Sequence, residues 1–516
     1  MKRLALALAL VATPAAAQDI SIGLGTAVTS MDPHFHNLAS NIKISVHIFD
    51  RLVDQDAQQK TVPGLATSWR ALDDTTWEFK LRPGVKFHDG EAFGPEDVAA
   101  TLRRVPWVPN SPNSFVTYTR AITETVIVDA ETVRFRTAGP YPLLPIDLSA
   151  VNITSRRHER AATTDFNSGA AAVGTGPFKF VEYLQGDRIT VARNDAWWGP
   201  KVPWTKATLR VITSQPSRVA ALLAGDVQAI DDLPPSDAGK LAADPNITVV
   251  RGRSNSVLFL HMDQARDVAP FVTDRAGNPL TKNPFRDVRV RQAVSKAINR
   301  QALVERIMEG AAIPAASLLA EGFFGSSPKL KPDAFDPEGA RRLLAEAGYP
   351  NGFGVTLFGP SGRYVNDNLV AQAVAPMLVR VGIDTKVVVQ PWAPFIAAAS
   401  APGYAYSFIL IGNSATTGEA SFGLRVQFAT VDVAKGMGGS NRARYSNPVV
   451  DRLIDQAMAT IDDPRREALL QQVAEVAMAD QAVVPLFHQD NLFAVRKGLT
   501  YVPRADGYLT AYGIGR

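Results

Sequence analysis

The sequence predicts an α/β fold, and three observations carry the prediction. Between about residues 66 and 136 apolar and polar side chains alternate with period two, as in half-buried strands. After residue 283 the pattern changes to apolar stripes of helical period, opened by Asp-Pro or Asn-Pro pairs and closed by glycine. Two short apolar runs, Val257-Leu-Phe-Leu260 and Val483-Val-Pro-Leu-Phe487, read as buried strands. Strands and helices interleave along the chain, which is the α/β signature.

At 516 residues the chain has room for roughly three domains. With 46% hydrophobic and 20% charged residues it has a globular composition, and a formal charge of +4 is too small to mark a nucleic-acid binder. There is no cysteine, which excludes disulfides, thiol nucleophiles, Cys-ligated zinc, Fe–S clusters and a lipidated N-terminus. Residues 1–17 read as a cleaved signal peptide: Lys2-Arg3, an apolar run from Leu4 to Val11, and Ala15-Ala-Ala17 before Gln18. Export without a lipid anchor or later membrane span points to the periplasm of a Gram-negative bacterium.

A strand is expected at Ile20–Gly25, then the loop Ser30-Met-Asp-Pro-His-Phe-His-Asn37, then a helix ending near Arg51-Leu52-Val53. In Thr76-Trp-Glu-Phe-Lys-Leu81, Trp77, Phe79 and Leu81 share one face and Glu78 and Lys80 the other. Pro83-Gly84 supplies a turn, and Val85 and Phe87 resume the alternation, so the unit reads as a hairpin closed by Asp89-Gly90. Gly94-Pro-Glu-Asp97 opens a helix with acids at the positive end of its dipole. Further strands are expected at Thr123–Val128 and Thr132–Arg136. The string from Asn283-Pro284 to Val294 leads one expected helix through about Glu309, and others are expected after Asp336-Pro337, from Asn366 to Val381 with a kink at Pro376, after Asn447-Pro448 and after Asp463-Pro464.

The string from Ser68-Trp69 through Pro95-Glu-Asp-Val98, together with Gly174-Thr-Gly-Pro-Phe178 and Asn194-Asp-Ala-Trp-Trp-Gly199, resembles the family 5 extracellular solute-binding proteins. These are the peptide- and nickel-binding components of bacterial ABC importers, and the resemblance covers nearly the whole chain after residue 17. It implies a two-lobed periplasmic binding protein of the type II-like, cluster C kind, with an extra subdomain in the N-terminal lobe and a two-strand hinge. Lobe I would be residues 18–260 plus 488–516, with the extra subdomain at about 61–180; lobe II would be 261–487. Residues 264–283 look like an insertion relative to shorter members.

In peptide-binding relatives a loop arginine pairs with the ligand carboxylate, and the resemblance carries that role to Arg363, in Gly359-Pro-Ser-Gly-Arg363. A guanidinium fork suits a carboxylate, although a solvated or capping arginine would read the same. Trp392 aligns with a cleft tryptophan. Dipeptide binders then show Gly-Trp followed by an Asp for the ligand amine. Here Asn413 stands for the Trp and Thr416 for the Asp, with Glu419 the nearest acid, either an amine receptor or a surface acid. His34, Phe35 and His36 lie in the early loop, where His-x-His admits a nickel or zinc reading. Asn255, in Ser254-Asn-Ser256, and Gly174-Thr175 are weaker cleft candidates.

Enzyme motifs fail on inspection. His158-Glu159 lacks the second histidine of a zinc protease, there is no Gly-x-Ser-x-Gly, and the Gly-rich stretches lack the lysine of a phosphate loop. The expected function is capture of a short peptide or peptide-like, carboxylate-bearing solute by lobe closure and its delivery to an inner-membrane ABC permease. No cofactor and no catalysis are expected, and the protein is expected to act as a monomer. A nickel or metal-chelate ligand is the alternative within the class, and a periplasmic hydrolase the alternative outside it.

Overall fold

The computed structural model describes residues 18–415 and 417–516. Its organising element is a twelve-stranded mixed sheet that runs through both halves of the molecule. In the first half, Gln18–Leu24 lies parallel to Trp204–Val211 and to Ala229–Ile230, and antiparallel strands Arg188–Arg193 and Phe178–Leu184 extend that edge. In the second half, Phe353–Ser361 lies parallel to Ile383–Pro391 and meets Phe408–Ser414. Two long strands join the halves. Ile247–Met262 and Val484–Arg496 pair antiparallel from Ile247↔Arg496 to Arg253↔Asp490, lose register, and resume from Val257↔His488 to Leu260↔Val484. The break between 253 and 257 is a bulge between two well-packed ladders, the kind of place where a sheet bends.

Each half has its own core. Ile20, Ile22, Phe178, Val191, Leu209 and Phe493 pack one face of the first half-sheet, and Leu222, Leu233, Leu241 and Leu492 the other. In the second half, Phe285, Val290, Leu357, Val370 and Leu378 form one cluster, and Phe259, Phe395, Leu424, Ile454 and Leu470 another. The apolar crossover runs are central here because both faces of these strands are covered.

A separate four-stranded antiparallel sheet, in the order 66–73, 76–81, 132–137, 122–129, buries Trp77, Phe79, Leu81, Val133 and Phe135. Its polar face is not simply solvated: Glu78 is buried and accepts from Arg70 Nη2 (2.9 Å) and Arg134 Nη2 (2.8 Å) across the strands. The hairpin expected around Pro83-Gly84 is not a ladder. Thr76–Leu81 pairs with Ala66–Asp73 and Thr132–Thr137, while Val85–Phe93 closes its own small loop through Phe87 N–H to Glu91 O and Phe93 N–H to Val85 O. The preceding strand takes one edge of Thr76–Leu81 and the distant Thr132–Thr137 takes the other, which leaves no edge for residues 85–87.

The glycines of Gly174-Thr-Gly176 serve close packing. A Cβ on Gly174 would sit 1.9 Å from Ile48 O, and Gly176 N–H donates to that same carbonyl. Thr175 Oγ1 (2.9 Å) and Trp198 Nε1 (2.7 Å) both donate to the half-buried Asp50, so the two family strings are joined through one carboxylate. Burial raises the Asp50 pKa to about 6.

The single helix expected to run on from the Asn283–Val294 string through about Glu309 is two, Val288–Ala297 and Arg300–Arg306. Ile298 is extended, and the Asn299 side chain accepts from Ala302 N–H, starting a new helix with its own cap. The first helix stops at Ile48, short of the expected Val53, because Val53–Gln55 pairs as a strand with Thr61–Pro63. The segment 264–283 contributes Val272–Thr273 to the edge of the second half-sheet. No helix among the described residues is long and apolar enough to cross a membrane.

Candidate functional site

The parallel strands of the first half end at Leu24, Val211 and Ile230, and Phe353–Ser361 ends facing them from the second half. A cavity of about 440 Å³ opens where these ends meet. Gly25, Thr26, Asp232 and Leu233 line it from the first half, Gly362–Asn366 from the second, and Gln489–Phe493 of the crossover strand between them. A crevice beyond the carboxyl ends of parallel strands is where open α/β sheets hold ligands, and the volume is that of a small-molecule site.

Arg363 projects into this space from a loop built by one acid. Asp367, in the first turn of the helix Asp367–Val379, accepts from the backbone N–H of Gly362 (3.1 Å), Arg363 (2.8 Å) and Tyr364 (3.0 Å). The acid is consumed by the loop backbone, so the exposed Arg363 guanidinium has no carboxylate partner among the described residues. It rests instead against two aromatic faces, 5.0 Å from the Trp392 ring and 5.6 Å from Tyr364. Trp392 is half-buried and meets Tyr364 edge to face at 6.2 Å; Tyr364 Oη donates to Gly412 O (3.1 Å) and ties the platform to the strand that carries Asn413. Arg442, half-buried and also without an ion pair among the described residues, is held by Ser400 Oγ (3.2 Å), and burial lowers its pKa.

The other expected residues are distributed differently. Asn413 is half-buried and reached by Gln427 Nε2 at 3.5 Å, while Gln427 Oε1 is buried with no partner among the described residues. Asn255, half-buried at the bulge of the crossover strand, donates through Nδ2 to Gln59 Oε1 (2.8 Å) and Ala415 O (2.9 Å), stitching the two halves together. None of Trp392, Asn413 and Asn255 lines the cavity itself. Thr416 lies outside the described residues. Glu419 is not a surface acid: it is 2% exposed, accepts from Arg466 Nη1 (2.6 Å) and Ser421 Oγ (3.0 Å), and is thereby occupied.

The early loop separates its two histidines by environment. His34 is fully enclosed; its Nε2–H donates to Asn152 O (2.7 Å) and its Nδ1 accepts from Arg104 Nη1 (2.9 Å). Burial, with the Arg104 charge, lowers its pKa to about 4, and it offers no free atom to a solute. His36 is half-buried with Nδ1 3.1 Å from Thr29 Oγ1, and Phe35 O accepts from Ser111 Oγ (2.6 Å). No group of three or more His, Asp or Glu side chains among the described residues is placed to hold a metal ion.

Sequence reasoning did not single out Tyr364 or Asp490, and it reads Asp231-Asp232 as acids of a turn or cap. Tyr364 adjoins Arg363, and Asp490 is an acid three residues past an apolar run that continues as the same strand. That interruption of a buried strand by Gln489-Asp490-Asn491 was the available signal.

Comparison with known proteins agrees with this architecture. The model of the bacterial extracellular solute-binding proteins, family 5 Middle, matches residues 60–434. The chain is 31% identical over 505 residues to the glutathione-binding protein GsiB of Pectobacterium atrosepticum, covering 95% of this chain and 93% of the relative. Its fold matches HbpA2 from Haemophilus parasuis with a TM-score of 0.83 at 22% identity, over 96% of this chain and 99% of that one. It also matches NikZ from Campylobacter jejuni in complex with Ni(L-His), with a TM-score of 0.75 at 20% identity, over 96% and 99%. The two halves are therefore the lobes of the two-lobed fold that periplasmic binding proteins share. The chain belongs to the family 5 bacterial extracellular solute-binding proteins and is the solute-binding component of an ABC importer.

Proposed function

We propose that this protein captures a short peptide or peptide-like solute bearing a carboxylate, of the size and chemistry of glutathione, and releases it unaltered to an inner-membrane ABC permease. The observation that carries the reading is the inter-lobe cavity with Arg363 at its edge: a guanidinium without an acid, held on an aromatic platform, facing residues of the other lobe. Such a cation gains most from a bidentate carboxylate partner in a space that closure dries. The GsiB relative supports a peptide over a metal chelate, because the nickel-binding neighbour shares the fold at an identity too low to carry its ligand across.

Closure would bend the crossover strands at the bulge between Arg253 and Val257 and at the facing His488–Asp490. On this reading lobe I comprises 18–260 with 488–516, and lobe II 261–487. Residues 1–17 would be removed on export to the periplasm, leaving Gln18 first, and the protein would act as a monomer.

Native mass spectrometry of the purified protein tests the reading, followed by thermal-shift screening of glutathione, dipeptides, tripeptides and nickel–histidine. A ligand of the native form raises the melting temperature. A co-purified peptide of unchanged mass, or a shift with glutathione, supports it. A shift with nickel–histidine alone, or cleavage of the peptide, sinks it.

A further inference from the structure

The cavity is lined by two acids, Asp232 and Asp490, that are not among the site residues expected from the sequence. Asp490 is 9% exposed, its carboxylate accepts no hydrogen bond among the described residues, and its one ion pair is a long 3.8 Å contact with the half-exposed Arg251. Asp232 lines the cavity from the neighbouring loop, where Leu233 N–H donates to Leu492 O (3.1 Å) of the strand that carries Asp490. Its backbone sits at φ +47°, a left-handed conformation uncommon outside glycine, held because Arg218 Nη2 donates to its carbonyl (2.8 Å) and Arg218 Nε to that of Asp231 (3.1 Å). Any Cβ on Gly25 would lie 2.7 Å from Asp232 Oδ2, so this glycine leaves the carboxylate its place. Asp232 forms no ion pair among the described residues, in contrast to Asp231, which binds Lys43.

Resting on the peptide reading above, we propose that Asp490, assisted by Asp232, receives an ammonium group of the solute. The amine receptor of this chain would then sit on the crossover strand and lobe I, and the carboxylate receptor, Arg363, on lobe II. Opposite charges on opposite walls of one cavity orient a zwitterion across it and reward closure only when both ends are filled. The arrangement answers the missing acid at Thr416: the counter-charge is supplied from the facing wall. Burial raises the Asp490 pKa and the neighbouring Asp231 charge raises that of Asp232, so both carboxylates gain from an incoming cation.

The test is calorimetric titration with glutathione and alanyl-alanine, each free and N-acetylated, on the wild-type protein and on Asp490→Asn. The wild type should bind the free amines about tenfold or more tighter than their acetylated forms, the size of a hydrogen bond to a charged group. Asp490→Asn should remove that preference while keeping the affinity for the acetylated forms. Equal wild-type affinity for both forms, or an equal loss on both in the variant, overturns the assignment and leaves the peptide reading standing. Binding of none of the four by the wild type overturns both. Should Asp490→Asn not fold, the wild-type preference and the exposed Asp232→Asn decide, the latter expected to cut the preference about threefold; an undiminished preference overturns the assignment.

Discussion

The loop at residues 30–37 and the loop at 359–367 both have an arginine beside aromatic rings, Arg104 over Phe166 in the first and Arg363 by Trp392 in the second, yet they have opposite fates. In the first, Arg104 grips Asp32 through two hydrogen bonds of 2.9 and 2.8 Å, Thr163 Oγ1 adds a third, and His34 fills the remaining space with both ring nitrogens engaged. In the second, Asp367 spends its carboxylate on three backbone N–H groups and leaves Arg363 uncompensated. The difference teaches that residue type does not make a binding group. What matters is whether the protein has already satisfied it. A satisfied cation stabilises the fold, and an unsatisfied one at a cavity is available to a guest.

The comparison is broken most severely at Arg104. Arg104→Ala leaves Asp32 buried without its charge partner and is expected to destabilise the protein by about 3–5 kcal/mol, read as a lowered unfolding midpoint. Solute affinity of the remaining folded protein should not change; a selective affinity loss with unchanged stability would reverse the roles assigned to the two loops.

Acid acts on the same enclosed chemistry. Burial lowers His34, His47, His88 and His488 to about 4 and His261 to about 3. A histidine with a lowered folded pKa contributes stability that is complete above its ordinary value of 6.5 and is lost as pH falls toward the folded value. Asp50 and Asp147, raised by burial to about 6 and about 7, run the other way: their contribution is complete below 3.8 and is lost as pH rises through those values. Asp97, Asp232 and Asp490 are raised as well and His158 is lowered, so six histidines stand against five carboxyl groups, and the melting temperature should fall modestly between pH 6.5 and 4. A rise over that window would show the carboxyl groups dominating.

At the other loop, Arg363→Ala should weaken carboxylate ligands by about ten- to a hundredfold while the melting temperature of the empty protein stays near that of the wild type. Titration with glutathione reads the first and thermal unfolding the second; an unaltered affinity removes Arg363 from the site. Smaller still, Trp392→Ala removes one face of the platform, and a loss of about 1 kcal/mol in binding is expected, recovered in large part by Trp392→Phe. No recovery with Phe would mean that the indole N–H, not the ring face, is what matters.

Much of the molecule was legible in the chain. Local rules suffice where a choice is settled within a few residues: the alternation of Trp77, Phe79 and Leu81, the Asp336 and Asn447 caps, the apolar crossover runs and the family strings. They failed where a competitor lay far away in sequence. Thr76–Leu81 took a partner at 132–137 over its neighbour, and Glu419 was claimed by Arg466. Among the candidate residues, Arg363 and Trp392 could be named from the chain because each lies in a segment to which the family resemblance carries a role. Asp232 and Asp490 were not, because an acid in a sequence has no visible counter-charge.

The sequence by itself determined the family, the α/β class and the residues whose chemistry suits a carboxylate. Periodicity, capping and close-packed glycines are written locally and survive translation into structure. Only the tertiary structure decided which charged groups are spent and which are free, because that depends on the partners that folding delivers from hundreds of residues away. Arg104 and Arg363 are the same residue until Asp32 meets one of them and no acid meets the other.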